Sequence, residues 1–132
     1  MISRAHRFHG YNSLRHVYGH GKTTRGPLFS VKSVLNERRK TYRVAVVVSR
    51  KIDKSAVARN RIRRRLYEIV RLAGVDIIRP YDIVITVFQG GTLETTHEKL
   101  TSQVRDQLSQ AGVLARRVTR TPERGPTLGK DR

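Results

Sequence analysis

Between two β-branched runs, "YRVAVVVS" (42–49) and "DIVITVF" (82–88), the chain carries a segment whose apolar residues recur with helical spacing. Ala58, Ile62, Leu66, Ile69, Val70 and Ala73 fall on one stripe at about 100° per residue. A strand cannot bury that stripe, because side chains of a strand alternate with period two. The flanking runs are apolar on both faces, which predicts central strands. A strand–helix–strand unit is therefore the nucleus of any fold open to this chain, and such units normally cross right-handed. Gly74 is the predicted stop of the helix.

The other faces of that helix are basic. "VARNRIRRRL" (57–66) holds five arginines in ten residues, and neighbouring like charges weaken a helix. Asn60, Arg61, Arg64, Glu68 and Arg71 fall opposite the apolar stripe. Arg59 and Arg65 flank it, where methylenes can lie on the core with the charged head in water. Residues 50–71 contain nine cations (Arg50, Lys51, Lys54, Arg59, Arg61, Arg63, Arg64, Arg65 and Arg71) against Asp53 and Glu68. A merely solvated face gains from mixed signs. Arginine outnumbers lysine here, as planar recognition of phosphate favours. The chain as a whole has 28 Lys and Arg against 10 Asp and Glu, a formal charge of +18. Such an excess strains a compact state through self-repulsion, and a polyanion offsets it. Nucleic acid is the expected partner.

With 132 residues, 37% of them hydrophobic, the chain suits one modest core. Residues 1–115 are read as a single domain, and 116–132, with no periodicity and few apolar residues, as a disordered basic tail. No cysteine is present, which removes disulfides and thiolate chemistry. No run approaches the roughly 20 apolar residues of a membrane span, and the N-terminus lacks a signal-like segment. A cytoplasmic protein with no membrane partner is expected.

Chemistry-bearing motifs are few. The ten carboxylates are scattered, without a DxD or ExE cluster to hold paired metal ions. Neither a catalytic residue nor a metal ligand is therefore assigned to the chain. "GHGKTTRG" (19–26) matches only the end of a phosphate-binding loop: His16 stands where the first glycine belongs, and the segment follows a predicted helix instead of a strand. A small-molecule substrate is not expected. His16 and His20 have the spacing of two ligands on one helical turn but no third partner.

Around the nucleus, Tyr11, Leu14 and Tyr18 predict a short first helix, with Asn12 or Ser13 as cap and "GHG" (19–21) as its end. "LFSVKSVL" (28–35) alternates, Phe29, Val31 and Leu35 against Ser30 and Lys32, and predicts a half-buried strand. "NERRK" (36–40) would join it to the next strand as a hairpin. Thr95 with Glu98 offers a capping box for a last helix carrying Leu100, Val104, Leu108 and Ala111, stopped at Gly112. Val113–Leu114 is a candidate extra strand. The class is α+β, with helices packed on one small mixed sheet. Phe8, Tyr11, Tyr18 and Phe29 are the aromatics available to stack on unpaired bases, Tyr18 and Phe29 in a cleft between the first helix and the sheet.

The run "VSRKIDKSAVARNRIRRRLYEIVR" (48–71) resembles the protein subunit of bacterial ribonuclease P. In that family a strand ending V-S-K-K precedes a helix opening A-V-x-R-N-R-[IV]-[KR]-R. Ser49, Lys51, Ala56, Val57, Arg59, Asn60, Arg61, Ile62, Arg63 and Arg64 stand in those places. "RFHGYNSLRHVYGHG" resembles the family's opening and "YDIVITV" its last central strand, so the likeness spans about residues 7–114. The resemblance implies a four-stranded mixed sheet with a left-handed βαβ crossover, similar to the second domain of a ribosomal small-subunit protein. It also implies a function: the RNA subunit, with Mg²⁺ bound mainly by that RNA, removes the 5′ leader of precursor tRNA, while the protein binds the catalytic RNA and the leader. By position, Arg50, Lys51, Lys54, Arg59, Asn60, Arg61, Arg63, Arg64 and Arg65 would bind RNA. Leu14, Tyr18, Phe29, Val31 and Lys32 would line the leader cleft. Leu14 and Lys32 stand where the family often has aromatics, which makes those contacts less stacked and more ionic. Residues 115–132 have no counterpart in the family.

Two other readings differ in class. A ribosomal or other ribonucleoprotein structural protein would share the build and charge. A DNA-binding regulator would use 55–73 as a recognition helix, but that helix lacks the preceding helix of a helix-turn-helix.

Overall fold

The computed structural model describes residues 6–8 and 11–114, with the side chains of 11–13 left aside. The tail expected over 116–132, and the domain boundary before it, lie outside the described residues. Seven elements follow in order: α1 (Tyr11–His20), β1 (Lys22–Arg25), β2 (Phe29–Leu35), β3 (Arg43–Val48), α2 (Ala56–Ala73), β4 (Tyr81–Val87) and α3 (His97–Gln110). Single turns of 3₁₀ helix occupy Gly74–Asp76 and Gly90–Thr92. The strands form one sheet in the order β1-β2-β4-β3, with β4 antiparallel to β2 and parallel to β3. The class is α+β with a mixed four-stranded sheet.

The hairpin expected between residues 28–35 and 42–49 does not form, because β4 lies between them. Ile83 and Ile85 on one face of β4 and Val84 on the other are fully buried. A strand apolar on both faces is best placed where neighbours satisfy both edges. β3, also read as central, is the outermost strand of the sheet. Its open edge is covered instead: Phe8 N–H donates to the Val44 carbonyl at 3.2 Å, and Val46 N–H donates to the Tyr67 hydroxyl at 3.2 Å. Covering an edge in this way removes a template for unwanted pairing.

The fourth strand is β1, and Val113–Leu114 is not a strand. Val113 packs into the core instead. β1 reads Lys-Thr-Thr-Arg and is largely exposed, so it carries no apolar alternation to reveal it. Neighbouring β2 holds it through the register Lys22↔Ser33 to Arg25↔Ser30.

Helix boundaries also moved slightly. Thr96, not Thr95, caps α3, its hydroxyl accepting from Lys99 N–H at 3.3 Å. Thr95 donates its hydroxyl to the Gly91 carbonyl at 2.8 Å. α1 begins at Tyr11, so Asn12 and Ser13 lie within it and not before it. Gly112 follows α3 with φ +78°, the left-handed conformation that glycine adopts without strain.

Two apolar layers flank the sheet. On one face α2 and α3 cover Phe29, Val31, Val44, Val46, Val48, Ile83, Ile85 and Val87 with Ile62, Leu66, Ile69, Val70, Leu100, Val104 and Leu108. Burying each of the large aliphatics among them is worth about 1.5–3 kcal/mol. On the opposite face α1 presses Val17 and Leu14 onto Ala45, Val84, Val34 and Val47, with Phe8 beside them. The apolar stripe read along 58–73 is thus the inner face of α2, Ala58 alone of its members being only half-buried.

Candidate nucleic-acid interface

The turn between β3 and α2 is built from its own polar groups. Ile52 N–H donates to the Ser49 carbonyl at 3.1 Å, and Ser55 N–H to the Asp53 carboxylate at 2.8 Å. Ser55, in extended conformation, caps α2 by accepting from Ala58 N–H at 3.2 Å. This turn presents Arg50, Lys51 and Lys54 around one open hollow of about 470 Å³.

The arginines of α2 divide into two sets. Asn60, Arg61 and Arg64 are exposed and Arg63 is half-buried. Among the described residues no carboxylate lies within ion-pair distance of Arg61, Arg63 or Arg64. The first turn of α2 holds no acidic residue. Unbalanced positive charge of this kind raises the local potential that draws anions.

Arg59 and Arg65 differ. Arg59 Nη1 donates to the carbonyls of Asp53 and Lys54, at 2.9 and 3.0 Å. Arg65 donates to the carbonyls of Thr92, Leu93 and Thr95, at 3.1, 2.9 and 2.6 Å. Their heads, expected in water, are turned onto main chain. Arg65, expected to bind RNA, has these donors on main chain, where they tie α2 to the segment before α3. Arg71 is engaged as well, by Glu68 one turn earlier, at 3.0 and 2.5 Å. That hydrogen-bonded guanidinium holds the Glu68 carboxyl down, at about 2.

Of the five residues expected to line a cleft between α1 and the sheet, three lie on the α1 side of the sheet. Tyr18 is 44% exposed, and Lys32 Nζ lies 5.8 Å from the centre of its ring. Leu14 packs at the margin of the smaller core. Phe29 and Val31 are fully buried and belong to the opposite core, under α2 and α3. Strand alternation requires this: once Lys32 faces α1, its neighbours along β2 point away. The same alternation brings forward residues not singled out from sequence. Arg25, Ser30, Thr86 and Val47 are register partners across all four strands and share the face of Lys32. Ser30, Thr86 and Val47 are half-buried and form a row on the sheet face that α1 packs against. Arg25 closes one end of it, its guanidinium 4.3 Å from the centre of the Phe88 ring.

The remaining motifs carry no site. Lys22 opens a strand, so no helix N-terminus follows Gly21 as a phosphate loop requires. The rings of His16 and His20 stack at 4.5 Å, and His20 Nδ1 bonds the His16 carbonyl at 3.1 Å. Among the described residues no three His, Cys, Asp or Glu side chains gather as a metal site, and no helix is long and apolar enough to cross a membrane.

Comparison with known proteins agrees with this geometry. A family model described as Ribonuclease P matches residues 2–112. The ribonuclease P protein component of Chloroflexus aurantiacus is 34% identical over 113 residues, covering 86% of this chain and 82% of that one. That of Roseiflexus castenholzii is 30% identical over 123 residues, covering 93% and 99%. The solved structure of the Staphylococcus aureus RNase P protein superposes with a TM-score of 0.75 at 22% identity, covering 84% and 99%, and so shares the fold. With a basic helix face, a half-covered sheet and relatives matched along nearly their whole length, the chain belongs to the ribonuclease P protein family.

Proposed function

We propose that this chain is the protein subunit of a cytoplasmic ribonuclease P ribonucleoprotein, and that it assists RNA-catalysed removal of the 5′ leader from precursor tRNA. The observation that carries this reading is the guanidinium face of α2, formed by Arg61, Arg63 and Arg64 with no carboxylate at ion-pair distance among the described residues, and continued by Arg50, Lys51 and Lys54. A polyphosphate surface supplies the missing counter-charge, and the catalytic RNA is the partner of that kind in this family. Mg²⁺ is assigned to the RNA in this reading, as the family resemblance implies; among the described residues no three His, Cys, Asp or Glu side chains gather to hold a metal ion. The leader, a single strand, suits the sheet face beside α1. Tyr18 offers a stacking surface there, Lys32 and Arg25 offer charge, and Ser30 and Thr86 offer small polar groups. Hydrolysis belongs to the RNA in this reading; the protein contributes binding and alignment.

Reconstitution tests it. The chain alone should leave precursor tRNA uncut, and added to the catalytic RNA it should lower the Mg²⁺ concentration needed for 5′ maturation. Cleavage by the isolated protein would contradict the assignment. Co-purification with ribosomal RNA, in place of one stable RNA species, would favour the ribosomal reading.

A further inference from the structure

We propose that Arg59, the first arginine of the A-V-x-R-N-R-type motif, is a positioning residue and not itself a phosphate ligand. Its guanidinium fixes the turn that carries Arg50, Lys51 and Lys54, and so decides where those three meet RNA. The inference rests on the proposed function and revises the role that resemblance assigns to Arg59.

Three observations carry it. Arg59 Nη1 lies within hydrogen-bond distance of two successive carbonyls, Asp53 and Lys54, in the same turn that forms the basic hollow. Arg59 is half-buried, whereas Arg61 and Arg64 on the same helix are exposed. The turn has every reason to open without such a tie: Arg50, Lys51 and Lys54 are like charges gathered on a few residues and repel one another. The other bonds of the turn, Ile52 to Ser49, Ser55 to Asp53 and Ala58 to Ser55, are all local. Arg59 reaches back from the first turns of a packed helix, so it anchors the turn to something rigid. A ligand-binding turn held in its bound shape loses less freedom on binding, which is where preorganisation gains affinity.

The test is a mutant cycle in the full chain. Equilibrium binding to the ribonuclease P RNA is measured across a range of salt for the wild type, Arg59→Ala, the triple variant Arg50→Ala/Lys51→Ala/Lys54→Ala, and the two combined. Arg61→Ala serves as control, and thermal melts are run on each. Arg59→Ala alone should weaken binding about tenfold, a size typical of lost preorganisation. In the triple background it should change affinity less than twofold and leave the salt slope as it was, since nothing remains to be positioned. Any general loss of stability is common to both backgrounds and cancels from the cycle. Amide exchange at Ile52 and Ser55 should speed up in Arg59→Ala.

A further fivefold loss in the triple background, with the slope falling by about one phosphate contact, would show Arg59 gripping RNA directly and overturn the inference. So would an unchanged affinity for Arg59→Ala alone, or for the triple variant. In each of these cases a flattened slope for Arg61→Ala leaves the RNA reading intact. A wild-type chain that fails to bind this RNA sinks the function and the inference together.

Discussion

Arg43 forks onto Asp82 across the parallel β3–β4 pair, Nε to Oδ1 and Nη2 to Oδ2, each at 2.9 Å, and the two residues are register partners. Asn36 adds a third bond to the same carboxylate at 2.9 Å, and the Arg43 guanidinium lies 4.7 Å from the centre of the Phe8 ring. Asp82 is 2% exposed. One buried carboxylate thus joins β3, β4, the turn after β2 and the N-terminal segment.

Removing that carboxylate strands a cation nearly as buried as itself. Asp82→Ala should destabilise the fold by about 3–5 kcal/mol, the range for breaking a buried pair from one side. Denaturant melts would show it. Replacing both partners by apolar residues of similar size should recover much of the loss.

The exposed arginines should behave in the opposite way. Arg61→Ala and Arg64→Ala should leave the melting curve within about 0.5 kcal/mol of wild type, as surface changes do. Each should weaken RNA binding and flatten its salt dependence by about one phosphate contact. Filter binding over a salt series reads both numbers, and an unaltered slope would remove these residues from the interface.

Arg65 should appear in stability and not in the salt slope. Arg65→Ala leaves the carbonyls of Thr92, Leu93 and Thr95 without their shared donor. A cost of about 1–3 kcal/mol follows from leaving such groups unsatisfied. Amides of the 89–96 segment should exchange faster, while the slope of RNA binding stays as in wild type.

Gly74 is held by a close approach and not by backbone freedom, since its φ and ψ of −60° and −25° suit any residue. A Cβ there would lie 2.6 Å from the Tyr42 hydroxyl and 3.1 Å from two of its ring atoms. The ring is buried and stacked on His6 at 4.2 Å, so it has little room to give. Burial also pushes the Tyr42 phenol above its ordinary pKa, with Arg71 pulling it back. Gly74→Ala should cost about 1–3 kcal/mol, as overpacking does. Tyr42→Phe, which removes the nearest atom, should restore part of it.

Glu68 supplies the pH test. Its carboxyl sits at about 2, against an ordinary 4.5, because Arg71 hydrogen-bonds its charged form. A depressed acid stabilises the fold fully above pH 4.5, and that contribution fades as pH falls toward 2. The pair is exposed, so the effect on melting is small. The titration reads it directly: NMR of the carboxyl carbon should give a midpoint well below 4.5 in the wild type and one shifted up toward 4.5 in Arg71→Ala.

Legibility from sequence followed the reach of each interaction. Helical periodicity located α2 and its buried stripe, because Ile62, Leu66, Ile69 and Val70 report a face set by local geometry alone. The alternation of 28–35 likewise placed Lys32 opposite Phe29 and Val31 correctly, yet grouping all three in one cleft contradicted that alternation. β1 left no trace because it is exposed and polar, and its existence depends on the edge of β2.

What the sequence determined unaided was the charge of one helix, the apolar stripe behind it, and the family to which that pattern belongs. Tertiary structure decided the rest. It set β4 between β2 and β3, and it divided the arginines into those that face solvent and those, Arg59 and Arg65, that hold main chain. The physical reason is that periodicity registers which way a side chain points from its own element. Which strand neighbours which, and which carbonyls Arg65 finds, are set by contacts between segments far apart in the chain, such as Arg65 with Thr92, 27 residues on, and Asn36 with Asp82, 46 residues on.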